Sequence, residues 1–88
     1  MRIYKYKLDC LGEQTVSMPI GARILCLQIQ NDVPCVWVVA DTSAGHEWRV
    51  FSTYGTGHET LKYPGIYIGT YQLRNGALVF HVFEKEKS

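Results

Sequence analysis

Gly55-Thr56-Gly57-His58 is the stretch of this chain whose residue types and spacing could do chemistry together. Two glycines around a threonine let successive backbone N–H groups point the same way as an anion nest, with Thr56 and His58 as side-chain donors. Arg23, Arg49 and Lys62 would add positive charge, and a Tyr or Trp could stack on a base. Read this way, the candidate ligand-binding set is Gly55, Thr56, Gly57, His58, Arg49 and Lys62, and the ligand is a small phosphorylated anion such as a nucleotide signal. The segment lacks the Lys-Ser/Thr ending of a P-loop and opens no helix, so it is neither a nucleoside-triphosphate loop nor a dinucleotide fingerprint. The same glycines also suit a plain turn or bulge, with His58 capping a backbone carbonyl.

Other constellations are weaker. His46, His58, His81 and the three cysteines, Cys10, Cys26 and Cys35, show no pair at metal-ligand spacing, so neither a metal nor another cofactor is expected. Nucleophilic catalysis would need Cys35 to meet His81 across strands, with Asp41 or Glu59 orienting the imidazole. Buried structural cysteines are the commoner case, and the chain is not expected to be an enzyme. Of Tyr4, Tyr6, Trp37, Trp48, Tyr54, Tyr63, Tyr67 and Tyr71 some must be core, and those beyond what a core this small can hold would make an interface or a stacking pocket for a flat ligand.

The elements that must position these residues follow a period of two. Arg2–Leu8 alternates Tyr4, Tyr6 and Leu8 against Ile3, Lys5 and Lys7. Gln14–Met18 is a short second strand, and Met18-Pro19-Ile20-Gly21 is a tight turn. Arg23–Gln30 sets Leu25, Leu27 and Ile29 against Ile24, Cys26, Gln28 and Gln30, which makes Cys26 a small buried hydrophobe. Asn31-Asp32 turns the chain into Cys35–Asp41, apolar on both faces and therefore central in its sheet. His46–Tyr54 sets Trp48, Val50 and Tyr54 against Glu47, Arg49, Phe51 and Thr53. The last hairpin, Gly65–Leu73 with Ala77–Glu84, turns at Asn75-Gly76, a type I′ signal. Its register opposes Leu73 to Leu78, Tyr71 to Phe80, Thr70 to His81 and Ile68 to Phe83. Only Ala44–Trp48 or His58–Tyr63 has room for a single helical turn. The expectation is all-β: a six- or seven-stranded antiparallel β-sandwich or small barrel with no substantial helix, forming one domain over residues 1–88.

With 88 residues, 47% apolar, the chain has enough apolar side chain for a core and for self-association into a homo-oligomer. A formal charge of +1 with scattered Lys and Arg lacks the basic stripe that nucleic-acid binding requires. Three unpaired cysteines, with neither a signal-peptide core nor a membrane-length apolar run, read as a cytoplasmic protein with reduced thiols.

The blocks GEQTVSMPIGARIL (Gly12–Leu25), GTGH (Gly55–His58), YIGTYQ (Tyr67–Gln72) and LVFHVFE (Leu78–Glu84) resemble an uncharacterised family of small proteins in tailed-bacteriophage genomes and bacterial prophages. The likeness extends from the amino-terminal strand to Glu84. It implies expression in an infected or lysogenic bacterial cytoplasm and carries no activity or functional residue with it. The expected role is a non-enzymatic phage or prophage accessory protein that binds a host bacterial protein such as a defence or regulatory factor. The alternatives are an oligomeric binder of a small phosphorylated ligand and a virion structural component.

Overall fold

Alternating side chains across most of the sequence fold into seven antiparallel strands, described over residues 1–87 of a computed structural model. They are β1 (Arg2–Lys7), β2 (Gly12–Pro19), β3 (Arg23–Gln30), β4 (Val33–Ala40), β5 (His46–Gly55), β6 (Ile66–Leu73) and β7 (Leu78–Glu84). A three-stranded sheet of order β1-β4-β3 packs on a four-stranded sheet of order β2-β5-β7-β6. The result is an open sandwich rather than a closed barrel. Neither short segment considered for a helical turn forms one.

The doubly apolar β4 is central in its sheet, as its composition requires. Val36, Val38 and Ala40 face the other sheet and are fully buried, with Tyr6 and Tyr4 of β1 opposite Val36 and Val38. Met18, Phe51, Tyr71, Phe80 and Val82 fill the core from the four-stranded sheet. Each large apolar side chain so enclosed contributes about 1.5–3 kcal/mol. Cys35, rather than Cys26, is the buried thiol, and Cys26 is only half-buried.

Three local features depart from simple alternation. In β3 the pairing with β4 shifts between Ile24 and Cys26, so Leu25 is bulged outward. Ile24, not Leu25, then joins Leu27 and Ile29 against the core. In β6 a second shift between Tyr67 and Gly69 puts Tyr67, not Ile68, opposite Phe83; the expected pairs from Thr70 to Leu73 hold. The β6–β7 turn is a four-residue loop, Arg74–Ala77, rather than a two-residue one. Arg74, Asn75 and Gly76 all have positive φ, and Gly76 N donates to Leu73 O (3.2 Å). Arg74 and Asn75, not Asn75 and Gly76, thus hold the central positions of the I′-type reversal.

The long link between β5 and β6 has a topological cause. Both strands run antiparallel to β7 from opposite sides, so they are parallel to each other and residues 56–65 must travel back across β7. The link crosses the outer face, where Leu61–Gly65 form a groove with Glu13 and Ser52. At Gly65, with φ +119°, an added Cβ would lie 2.3 Å from the carbonyl oxygen of Glu84. Only glycine lets the chain press this closely onto β7.

Candidate functional site

The Gly55–His58 segment is a β-turn at the end of β5. His58 N donates to Gly55 O (3.0 Å), and Gly57 takes φ +86° at the third position, where a type II turn needs glycine. Thr56 N donates to Val79 O (3.1 Å). Two of the amides an anion nest would use are therefore bonded to carbonyls of the fold. The exposed His58 ring lies over Gly55, where an added Cβ would come within 2.8 Å of it.

Arg49 and Lys62 do not join this turn. Arg49 lies six residues back along β5 from Gly55, roughly 20 Å away at strand rise, on the inward face. Its Nε and Nη2 donate to Glu84 Oε2 (2.5 Å) and Oε1 (2.9 Å), and Nη1 donates to Ala22 O (2.5 Å). Hydrogen bonding to Glu84 raises the guanidinium pKa further above its already high ordinary value. This cation is held by a forked carboxylate rather than presented to a ligand. Lys62 Nζ sits 5.5 Å from the Tyr63 ring centre at the outer-face groove of about 460 Å³. Of the six candidate residues, only the four consecutive ones are neighbours.

The geometry assembles a different group. His81, on the outer face of β7, has Nδ1 2.9 Å from Thr70 Oγ1 and Nε2 2.6 Å from Thr56 Oγ1. Thr70 Oγ1 also meets Tyr67 OH (2.5 Å), and Thr56 Oγ1 meets Val79 O (3.4 Å). One proton arrangement uses all four contacts: Tyr67 donates to Thr70, Thr70 to Nδ1, Nε2–H to Thr56, and Thr56 to the carbonyl. The ring then clips the start of the crossing link to β6. Both its nitrogens are hydrogen-bonded within the fold, which positions the ring and the start of the link. Cys35 lies on the outward face of the other sheet, so it and His81 are on opposite sides of the sandwich.

The aromatic residues divide by face. Tyr71 is buried in the core and Tyr4 and Tyr6 pack against it, while Trp48, Tyr63 and Tyr67 are exposed. Tyr67 stands edge-on to Phe83 at 5.5 Å. It borders a groove of about 610 Å³ along the open side of the sandwich, between β3 and β6. Leu25, Ile66 and Tyr67 are 45%, 51% and 57% exposed there, with Arg23 at the rim and the Arg49–Glu84 pair at the base. The β3 bulge turns Leu25 out onto this surface, while the β6 bulge sets Tyr67 opposite Phe83 and lets Ile68 pack on the core.

Over residues 1–88 the chain matches the family model described as Domain of unknown function (DUF7352). It belongs to that family. No curated protein and no solved structure matches it.

In this DUF7352 chain, half of the His81 clip was legible beforehand, since the hairpin register already opposed Thr70 to His81. Its other half, Thr56, arrives only when the link crosses β7. The Arg49–Glu84 pair joins residues 35 positions apart and had no sequence signal at all. Among the described residues, no group of His, Cys, Asp and Glu could hold a metal ion, and no helix is long and apolar enough to cross a membrane.

Proposed function

We propose that this protein is a non-catalytic accessory protein of a phage or prophage. In this reading it acts in the bacterial cytoplasm by docking a host protein in the groove between β3 and β6. The observation that carries the reading is the joint exposure of Leu25, Ile66 and Tyr67 around that groove, with Arg23 at its rim. An aromatic and aliphatic centre bordered by arginine has the composition of a protein-binding hot spot. The phage context rests on the resemblance of the Gly12–Leu25, Gly55–His58, Tyr67–Gln72 and Leu78–Glu84 blocks. A small phosphorylated ligand at Gly55–His58 is the weaker reading, because the amides of Thr56 and His58 already have acceptors.

The test uses wild-type and Tyr67→Ala baits in bacterial lysate, followed by a two-component assay with the purified captured protein. The expected result is a stoichiometric partner whose affinity for the Tyr67→Ala protein falls about tenfold or more, the loss of roughly 1.4 kcal/mol or more at a hot spot. Absence of any stoichiometric partner, or equal affinity for both baits, overturns the reading.

A further inference from the structure

A sheet edge offers unpaired N–H and C=O groups to any passing strand, and folded proteins normally block such edges with bulges or lysines. Three of the four edges here are treated in that way. β3 is bulged at Leu25, β6 is bulged at Ile68, and β1 carries Lys5 and Lys7. β2 is not. It pairs with β5 without a register shift over all eight residues, and its only charged residue is Glu13.

The groups left free on β2 can be assigned. Ile20 N donates to Gly45 O (2.8 Å), which continues the β2–β5 register by one residue. Positions in step with Ile20, namely Gln14, Val16 and Met18, therefore turn their backbone groups toward β5. Glu13, Thr15 and Ser17 turn theirs outward. Pro19, the next outward position, has no N–H to leave unpaired. The free row is thus three amides and three carbonyls centred on Thr15.

That row is its own complement. A two-fold axis at Thr15 opposes Thr15 to its copy and Glu13 to Ser17 of the second copy, which satisfies all six groups and keeps the two Glu13 carboxylates apart. We propose that the protein forms a two-fold dimer by antiparallel pairing of β2 with β2 of a second copy, joining two four-stranded sheets into one of eight strands.

The outer face fits the same partner. Trp48 stands beside Ser17 and is 70% exposed. Glu13 and Ser52, adjacent in the next strand row, wall the groove that Leu61 and Tyr63 close. The two-fold sets Ser17 of one copy against Glu13 of the other, so each Trp48 faces the mouth of the opposite copy's groove. A foreign strand could use the backbone row, but it would not bring a second exposed tryptophan to the other side of the axis. The β3–β6 groove lies at the far edge of the same sheet and stays open in the dimer, so this inference stands apart from the docking reading.

Sedimentation of the full chain from low to high micromolar concentration, with amide exchange at Glu13, Thr15 and Ser17, tests it. A dimer is expected, with those three amides exchanging more slowly as it forms. Thr15→Pro removes an N–H that the β2–β5 ladder does not use, and should raise the dissociation constant about a hundredfold or more while the circular dichroism is unchanged. Should that variant misfold, Thr15→Lys, which sets two like charges side by side at the axis, should dissociate the dimer in the same way. Trp48→Ser should weaken it about tenfold. A monomer across the whole range, or a dimer equally tight in a folded Thr15→Pro or Thr15→Lys protein, overturns the proposal; neither result bears on Tyr67 and the host partner.

Discussion

Gly65 and Arg74 show how single residues govern the local path of this chain. Gly65 combines φ +119° with a backbone contact that leaves no room for a methyl group against the Glu84 carbonyl. Gly65→Ala is expected to destabilise the fold by about 2–4 kcal/mol, from left-handed strain plus the displaced link, read as a lower urea midpoint. Arg74 is the opposite case, a side-chain-bearing residue at φ +53°. Arg74→Gly removes that strain and should stabilise by about 0.5–1 kcal/mol after the entropy cost of glycine. A destabilised Arg74→Gly protein would mean that the arginine side chain contributes more than its backbone costs.

At the scale of elements, the Arg49–Glu84 pair joins β5 to β7, and its third bond reaches Ala22 in the segment between the sheets. Both side chains are only 10% exposed, so removing either leaves a poorly solvated charge. Arg49→Met alone should cost about 2–4 kcal/mol, whereas Arg49→Met with Glu84→Leu should recover most of that loss. Urea unfolding of the two single variants and the double variant measures the coupling, and strictly additive losses would contradict it. The alternation in Arg2–Leu8 and His46–Tyr54 was plain in the sequence, and so was the parity of the β6–β7 pairing near its turn. The bulges at Leu25 and Ile68 were not, because a bulge is set by where a strand must bend to meet the opposite sheet. At Gly69 an added Cβ would stand 3.2 Å from the Leu27 side chain, the inter-sheet contact beside the second bulge.

For the whole molecule, the turn between β2 and β3 and the loop between β4 and β5 meet at one end of the sandwich, where Ile20 N bonds Gly45 O. Two carboxylates hold this end. The amide and hydroxyl of Ser43 keep Asp41 below the usual carboxylate range, the amide contributing more. The Lys87 ammonium, and after it the Gly21 amide, does the same for Glu47. Because both folded-state pKa values are depressed, their stabilisation is complete above the ordinary range and is lost as pH falls through the lowered values. Urea midpoints should therefore be level from neutral pH to about 5 and fall below about 4. Glu47→Gln should shorten that acid decline, and a midpoint that rises toward pH 3 would contradict the assignment.

The amino-acid order by itself determined that the chain is all-β, which strand is central in its sheet and that the chain reverses beside Asn31-Asp32 and Asn75-Gly76, because these depend on alternation and on residues tolerant of positive φ. It also marked Gly55–His58 as unusual, although the glycine at 57 serves a turn. Only the tertiary structure decided which face of β5 lies inward, that Arg49 belongs to Glu84, and that Thr56 belongs to His81. Those pairings depend on strands that are distant in sequence and on a link that crosses β7, and neither distance nor crossing leaves a periodic trace along the chain.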